Sequence, residues 1–413
     1  MKRIGTAGLA LLLFAGLSGG LGVDQAAAQG SPETARALQK PIAIERDGPA
    51  AALAYRRHMG KIMIDARLNG VEREFLFDTG SPSVISRELA RELDLKIIGT
   101  NTGRDANGRD FTTEIAILDR LDLGGVTFRS VPVLVADFSA TDPDRCFMDA
   151  GLIGSEIFAG SAWHLDPERS EIRIAARAED LGPTAPAIEA RLHDWGYPHA
   201  PVFSYGLGDF EDRGLFDTGN SGTIVLFDKL LSDKRIKRAI TPGSMRQGRG
   251  SHGVSAAGLG DMTDLFRFEI EGLRLGASEL GPYPGSTRAA PPSLMGLGIL
   301  DTHSVTLDYP QARLLLHPRR APSPRAKSAG FGVMATEDGV RVMQLYKGSP
   351  AQRAGLQLGD YVTALDGRDL PHGPEAKITC ETKRWLVEAR PAASAKQITV
   401  LREGGRVVIA LDE

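Results

Sequence analysis

The sequence of 413 residues is poor in cysteine, in aromatic side chains and in net charge. Two cysteines are too few for the kind of small scaffold that depends on several disulfides for its stability. A formal net charge of -3 predicts no strongly basic face, and we therefore expect no nucleic-acid partner. Beyond the N-terminal stretch no apolar run is long enough to cross a bilayer, so we expect no membrane span in the mature protein.

The N-terminal stretch has the pattern of an export signal. Lys2 and Arg3 precede a short apolar run, and Ala26–Ala28 supplies the small residues typical of a cleavage site. We therefore predict a signal peptide over residues 1–28 and a loose, polar lead-in over residues 29–46. The alternative, a membrane anchor, is disfavoured because the run is interrupted by glycine and is short for a span. The expected location is periplasmic or secreted.

The two cysteines bear on the redox environment of the protein. An exported protein meets an oxidising compartment, in which cysteines commonly pair. Cys146 and Cys380 lie far apart in the sequence, and we interpret them as separate buried thiols in different domains. A bond between them is the alternative that the sequence leaves open.

Two stretches of the sequence carry the same tripeptide at the end of the same kind of strand. Asp78 and Asp217 each follow a short apolar run, and each begins an Asp-Thr-Gly turn. A buried carboxylate is costly unless its neighbours compensate it, so two matched ones indicate that the protein needs them together. The later glycine elements Gly151–Gly154 and Leu294–Gly298 repeat at nearly the same offset, which indicates an internal duplication.

The duplication predicts two lobes of similar design. Short apolar runs separated by glycine-rich turns favour strands throughout, so the predicted fold class is all-β. We expect the lobes over residues 47–180 and 181–318. A proline-rich basic linker follows over residues 319–328, and residues 329–413 form a further domain of different composition.

Two carboxyl groups in contact have the chemistry needed to hydrolyse a peptide bond. They share one proton, because both cannot easily ionise within about 3 Å of each other. One can then take a proton from water while the other protonates the carbonyl oxygen. Ser81 is expected to donate a hydrogen bond to Asp78. We expect six neighbouring residues to support the pair by bonding across the seam between the lobes, by permitting close approach or by orienting the carboxyls. They are Thr79, Gly80, Ser81, Thr218, Gly219 and Asn220.

This chemistry requires no metal, no cofactor and no covalent intermediate. Histidines such as His164 and His252 are not spaced as a metal site. No histidine is positioned by a motif to activate Ser81 or Ser221 as a nucleophile.

The segment from about Ala52 to Leu316, which contains both Asp-Thr-Gly turns, resembles the aspartic protease superfamily and is most similar to bacterial retropepsin-like proteases. The resemblance rests on the two Asp-Thr-Gly turns and the glycine elements that follow them. It implies a bilobal pepsin-like or retropepsin-like double β-barrel with Asp78 and Asp217 as the catalytic residues. It also implies an aspartic endopeptidase with polypeptide substrates. Both aspartates belong to one chain, so a monomer is expected to suffice.

Two turn-rich segments, Gly103–Asp110 and Gln247–Gly253, are candidates for the hairpins that cover the cleft in this family. A solvent loop is an equally good interpretation of the first segment. Neither segment contains the tyrosine that pepsin-like enzymes carry there, which favours the retroviral side of the family.

Residues from Phe331 to the C-terminus resemble a PDZ domain. The resemblance implies that Phe331, Gly332 and Val333 receive the C-terminus of a peptide, which adds as a strand beside a helix predicted over Ile378–Ala389. The alternative is a domain that only packs on the protease or seals its cleft.

Two other functions stay open. Asn220 stands where Ser, Thr or Ala is commoner in the family, which leaves room for a peptide-binding protein without turnover. The second alternative is a self-processing regulator whose main substrate is its own linker, near Arg319–Arg325.

Overall fold

The computed structural model describes residues 32–139, 142, 145–182, 187–319, 328–373 and 377–411. The predicted signal peptide and most of the predicted linker lie outside these residues. Strands dominate the described chain and its helices are short, which confirms the prediction of an all-β fold.

The first lobe begins with a helix and continues almost entirely as strands. Strands β3 and β4 form a hairpin that turns at Asn69–Gly70, a residue pair typical of two-residue hairpin turns. Ser86 caps helix α2, because its hydroxyl oxygen accepts the Leu89 N–H at 3.1 Å. The elements of this lobe are α1 (Pro32–Gln39), β1 (Ala43–Arg46), β2 (Ala50–His58), β3 (Lys61–Leu68), β4 (Val71–Phe77), β5 (Val84–Ser86), α2 (Arg87–Glu92), β6 (Ile97–Arg104), β7 (Asp110–Leu123), β8 (Val126–Ala136), β9 (Gly151–Ile153), β10 (Ala162–Asp166) and β11 (Glu171–Ala175).

The expectation of a loose lead-in is wrong from residue 32 onward. In α1 the Thr34 hydroxyl donates to Ile98 O at 2.7 Å. Strand β1 pairs antiparallel with β8, with Ala43 opposite Arg129. These residues are therefore part of the first lobe.

The second lobe repeats the order of the first. Residues 226–240 contain a helical stretch, in which Leu226 and Phe227 still belong to a strand and the α-helix covers Lys234–Arg238. The elements are β12 (Ile188–His193), β13 (Val202–Leu207), β14 (Phe210–Asp217), β15 (Ile224–Phe227), α3 (Lys234–Arg238), β16 (Arg246–Ser251), β17 (Val254–Ser255), β18 (Gly258–Leu259), β19 (Met262–Ile270), β20 (Leu273–Leu275), β21 (Ser278–Leu280), β22 (Tyr283–Arg288), β23 (Ser293–Gly296), β24 (His303–Asp308) and β25 (Arg313–Pro318).

A parallel pair of strands holds each aspartate. In the first lobe β4 runs beside β9, with Leu76 opposite Leu152, and the Asp78 N–H continues the ladder by donating to Ile153 O at 3.0 Å. In the second lobe β14 runs beside β23 in the same way, with Asp217 opposite Gly296. The repeated pairing delivers both aspartates at the end of equivalent strands.

One antiparallel sheet joins the two lobes. Its strand order is β2-β11-β10-β24-β25-β12, and the central pair places Trp163 opposite Leu307. Trp163 is fully buried and packs against the rings of Phe158, Phe77 and Phe128, with 4.8 Å between the ring centres of Trp163 and Phe158. Because Phe77 directly precedes Asp78, this aromatic cluster supports the strand that ends in the aspartate.

The C-terminal domain has a hydrophobic core of its own. Its first two strands, β26 and β27, pair antiparallel, and its predicted helix is present as α5. The elements are β26 (Phe331–Thr336), β27 (Gly339–Tyr346), α4 (Pro350–Arg353), β28 (Tyr361–Leu365), β29 (Arg368–Asp369), α5 (Cys380–Glu388), α6 (Pro391–Ser394), β30 (Gln397–Arg402) and β31 (Gly405–Ala410).

The interpretation of the two cysteines as separate thiols is wrong. Cys146 in the first lobe and Cys380 at the start of α5 form a disulfide. Sequence distance concealed the pair, because the fold brings a loop before β9 against a helix more than two hundred residues later. The C-terminal domain is therefore covalently fixed to the first lobe.

Among the described residues, no helix combines the length and apolar character needed to cross a bilayer.

Replacing Trp163 with alanine is expected to lower the free energy of unfolding by about 3–5 kcal/mol, because the change leaves a cavity in a closed aromatic core. Urea denaturation followed by near-ultraviolet circular dichroism measures the loss. Trp195→Ala is the control, since Trp195 is 47% exposed and should cost less than about 1 kcal/mol. Equal losses in the two variants would contradict this account of the core.

Candidate active site

The two Asp-Thr-Gly turns meet at the seam between the lobes. A Cβ atom added to Gly80 would lie 2.6 Å from Cγ of Asp217, and one added to Gly219 would lie 2.6 Å from Cγ of Asp78. Each glycine thus lies against the carboxyl of the opposite lobe. Any side chain at these positions would collide with that carboxyl, so the close approach of the two aspartates requires glycine at both.

Two threonines lock the turns together. The Thr79 hydroxyl donates to Phe216 O at 2.6 Å, and its oxygen accepts the Thr218 N–H at 3.0 Å. The Thr218 hydroxyl does the same in reverse, donating to Phe77 O at 2.7 Å and accepting the Thr79 N–H at 3.0 Å. Both side chains are fully buried. Four hydrogen bonds therefore hold the ends of β4 and β14 in one geometry.

The environment raises the pKa of the Asp78 carboxyl to about 7. Burial is the largest cause, and the neighbouring charge of Asp217 adds to it. The Gly80 N–H, which donates to Asp78 Oδ1 at 2.9 Å, and the positive charge of Lys61 act in the opposite direction. Asp78 can therefore hold a proton near neutral pH.

Asp217 Oδ1 is buried and has no hydrogen-bond partner within the part of the chain that is described.

Ser81 and Asn220 act on the turns and not on the carboxyls. The expectation that Ser81 donates to Asp78 is wrong, because its hydroxyl donates to Pro82 O at 2.8 Å. Asn220 uses its side-chain oxygen to accept the Gly222 N–H at 2.8 Å. Both side chains therefore shape the chain just after the aspartates.

Lys61, which the sequence analysis missed, lies beside the pair. It begins β3, and its ammonium group donates to Gly219 O in the opposite lobe. Burial lowers its pKa, while the charges of Asp217 and Asp78 act in the opposite direction. No motif marks this lysine, because the contact joins residues that are distant in the chain.

Glu156 is a second missed residue. Its side chain is buried and accepts hydrogen bonds from the Ser83 N–H at 2.7 Å and from the Ser83 hydroxyl. The Ser83 oxygen accepts the Gly154 N–H at 2.8 Å, so Glu156 ties the chain after Asp78 to the glycine element. Burial raises the pKa of Glu156 to about 7. Its place two residues after that element is the only sequence signal that points to it.

The two candidate covering hairpins both exist. The first is formed by β6 and β7 with its tip at residues 105–109. The second is formed by β16 and β19, and its tip at residues 252–261 contains the short pair β17 and β18.

The hairpin tips are bonded to each other across the cleft, so the first hairpin is not a free solvent loop. We call this set of contacts the latch. Its members are Asn107 with Ser255 at 2.7 Å, Asp105 with Ala257 at 3.0 Å, and the ion pair of Arg109 with Asp261. The two tips are therefore joined by part-buried hydrogen bonds and by one exposed ion pair, of which the ion pair contributes little.

Arg288 connects the latch to the aspartate pair. Its guanidinium donates to Ala106 O in the first tip at 3.4 Å and to Pro292 O at 3.2 Å. Burial lowers its pKa, and the charge of Asp217 acts in the opposite direction. The arginine is thus bonded to the first tip and is close enough to Asp217 for the two charges to interact.

An apolar row lines the first lobe beside Asp78. Leu76 lies two residues before Asp78 on an extended strand, so both side chains point to the same face of the sheet. Leu76 is opposite Met63 on one neighbouring strand and Leu152 on the other. Leu38 of α1 is buried and packs into the same cluster. The face next to Asp78 is therefore apolar, and the N-terminal helix covers part of it.

The residues expected to bind a peptide C-terminus begin the C-terminal domain. Phe331 is buried in the core of the domain, and Gly332 and Val333 are partly buried. In the described chain β26 pairs along one edge only, with β27, and α5 lies beside it. A strand edge and a helix thus lie side by side, and a peptide that adds to this edge has to enter the groove between them. No group of three or more His, Cys, Asp or Glu side chains among the described residues is arranged to hold a metal ion.

Two family models match segments of the chain. Residues 64–157 match the model described as aspartyl protease, and residues 341–377 match a PDZ domain. The first match contains Asp78 and ends before the second lobe begins. No curated protein matches the chain. The chain therefore contains an aspartyl protease domain and a PDZ domain.

Replacing Thr79 with valine should destabilise the protein by roughly 2–6 kcal/mol, because it leaves the Thr218 N–H and Phe216 O buried without partners. Thr79→Ser keeps the hydroxyl and is the matched control, with a smaller loss expected. Chemical denaturation of both variants measures the difference. If valine and serine cost the same, the cross-lobe bonds do not hold the turns.

Proposed function

We propose that this protease with a PDZ module is an exported endopeptidase, in which Asp78 and Asp217 activate a water molecule to hydrolyse peptide bonds. One observation carries the proposal: two carboxyls from opposite lobes lie against each other, and one of them has a pKa of about 7. The aspartyl protease match over residues 64–157 supports the same conclusion.

The reaction proceeds by acid–base chemistry in two steps. In the first, ionised Asp217 takes a proton from water as the water oxygen bonds to the carbonyl carbon, and Asp78 gives its proton to the carbonyl oxygen. In the second, Asp217 gives its proton to the amide nitrogen, the carbon–nitrogen bond breaks, and Asp78 recovers a proton from a hydroxyl of the intermediate. The pair ends with one proton, as it began.

The two aspartates have different surroundings, which supports their separate roles. The raised pKa of Asp78 favours the proton there at the start of the cycle. Asp217 Oδ1 is buried and lacks a partner among the described residues, so it can accept a hydrogen bond from the attacking water.

The arrangement of the two hairpins suits an extended polypeptide as substrate. The latch has to open before a chain can lie between the hairpins and the aspartates, and an unfolded chain needs the smallest opening.

The PDZ domain supplies a second peptide site. The free edge of β26 beside α5 supports capture of peptide C-termini by Phe331, Gly332 and Val333. This site is separate from the aspartates, so it can bind a peptide that is not being cleaved.

The disulfide supports export to the periplasm or outside the cell. Bonds such as Cys146–Cys380 persist in oxidising compartments and are rare where thiols are kept reduced. Both aspartates come from one chain, which supports activity as a monomer.

Asp78→Asn and Asp217→Asn should each reduce peptide cleavage by roughly 10²–10⁴-fold or more, since each removes one partner of the proton exchange. A peptide-library digest read by mass spectrometry, with pepstatin as an inhibitor control, measures the loss. Circular dichroism checks that the variants keep the fold. Full activity in either variant rules out the mechanism, and tight peptide binding without cleavage in the unchanged protein indicates a binding protein.

Activity should fall as the pH rises through about 7, because Asp78 then loses the proton that the first step needs. Lys61 lowers the Asp78 pKa, so Lys61→Met should raise that pKa and move the pH above which activity falls to a higher value. Lys61→Arg keeps the positive charge and should leave this pH close to its original value. Profiles of kcat/KM against pH measure the position of the fall, and an unchanged position in Lys61→Met would contradict the role of the lysine.

A further inference from the structure

The PDZ domain and the second hairpin form one continuous sheet. Strand β27 of the PDZ domain pairs antiparallel with β16 of the hairpin, and Gly250 is opposite Gln344. The ladder is extended by the Lys347 N–H, which donates to Gln247 O at 2.8 Å. Since β27 also pairs with β26, the strand order is β19-β16-β27-β26. The hairpin over the cleft and the peptide-binding edge are thus parts of the same sheet.

Side chains strengthen this junction. The Gln344 amide donates to Ser251 O at 2.9 Å, and its oxygen accepts from the Arg267 guanidinium at 3.0 Å. The same guanidinium lies 4.6 Å from the centre of the Tyr346 ring. Gln344 therefore connects β27 to both strands of the hairpin.

The glycines of the hairpin strand are explained by this contact. A Cβ atom on Gly248 would lie 2.7 Å from Leu345 O, and one on Gly250 would lie 2.7 Å from Cα of Gln344. Arg249, between them, is exposed. The alternation of glycine in this strand thus permits close approach of the PDZ domain.

The other wall of the peptide groove is attached to the opposite lobe. Helix α5 is joined to the first lobe by the Cys146–Cys380 disulfide at its start. At its end, Glu388 accepts the Met59 N–H at 2.8 Å. Met59 belongs to the turn before Lys61, the lysine that contacts the Asp217 turn. One wall of the groove is therefore paired with the second hairpin through β27, and the other is held to the first lobe.

We infer that the PDZ groove is a regulatory site in which a bound peptide C-terminus opens the latch. A peptide that adds to β26 needs the spacing of about 4.8 Å between paired strands. Because α5 is held to the first lobe, room for the added strand comes from movement of β26 and β27, and β16 moves with them. That movement separates the second hairpin tip from the first. The effector is a peptide with a free carboxylate and an apolar last residue.

The effect on cleavage rests on the proposed function, whereas the movement of the latch does not. The test therefore measures the two separately. Ala106→Cys and Ala256→Cys in the Asp78→Asn variant give one label site on each hairpin tip, and no described cysteine of the chain is free to react with the label. Electron spin resonance then reports the distance between the tips with and without a short peptide that ends in a free apolar residue.

Addition of this peptide is expected to lengthen the distance between the tips. In the active protein it should raise the cleavage rate of a separate quenched substrate, blocked at both ends, by about fivefold or more, at the lower end of usual coupling between sites. The same peptide with an amidated C-terminus should have neither effect. A bound peptide that leaves the distance unchanged, a rate that falls, or no binding at all would overturn the inference.

Two variants test the route of the coupling. Gly248→Val should disrupt the contact between β16 and β27, so the peptide should still bind but cause less than a twofold change in rate. Arg249→Ala, an exposed neighbour in the same strand, is the control and should keep the full increase in rate.

The double variant Cys146→Ser/Cys380→Ser should weaken the increase in rate caused by the peptide, because α5 is then less firmly held. An undiminished effect in Gly248→Val would overturn the proposed route. A change in distance without cleavage of any peptide would instead count against the proposed protease function alone.

Discussion

The structure depends on holding two carboxyl groups against each other at a seam between lobes. Mutual charge and loss of water both disfavour this arrangement, and each raises the pKa of Asp78. The arrangement persists because Thr79 and Thr218 exchange four buried hydrogen bonds across the seam. Each strand end is then fixed by the opposite lobe, so neither half of the site has its geometry without the other.

The duplicated halves are alike in backbone and different in side chains. The first lobe fixes the chain after its aspartate with the buried pair of Glu156 and Ser83. In the second lobe Gly298 stands in the place of Glu156, and Arg288 lies close to Asp217. Lys61 reaches from the first lobe to the turn of the second. This asymmetry gives two chemically identical carboxyls different environments, which favours the shared proton on one of them.

The C-terminal domain is built into the protease and is not simply attached to its end. A disulfide holds its helix α5 to the first lobe, and a strand ladder joins β27 to the hairpin of the second. Both contacts are made near elements that cover or approach the aspartates. A domain held at two such points changes the cleft when it changes shape, whereas a domain on a flexible linker would not.

Features that depend on local patterns can be predicted from the sequence. The Asp-Thr-Gly turns, the duplication, the Asn69–Gly70 hairpin and the helix near residue 380 all follow from spacing and from the preferences of a few residues. Contacts between residues that are distant in the sequence cannot be predicted in this way. The disulfide was misjudged for this reason, and the lead-in was expected to be loose because a short strand and a single buried leucine have no local signal.

The polar groups that surround the aspartates come together only when the chain folds. Lys61, Glu156 and Arg288 lie in no motif, and each contributes through partners or charges brought close by folding. Ser81 had a suitable hydroxyl next to the site, yet the geometry of its turn directs that hydroxyl to a neighbouring carbonyl. Local motifs in the sequence therefore determine the positions of the two carboxyl groups. Their affinity for a proton is set by burial and by charged groups that folding brings close to them.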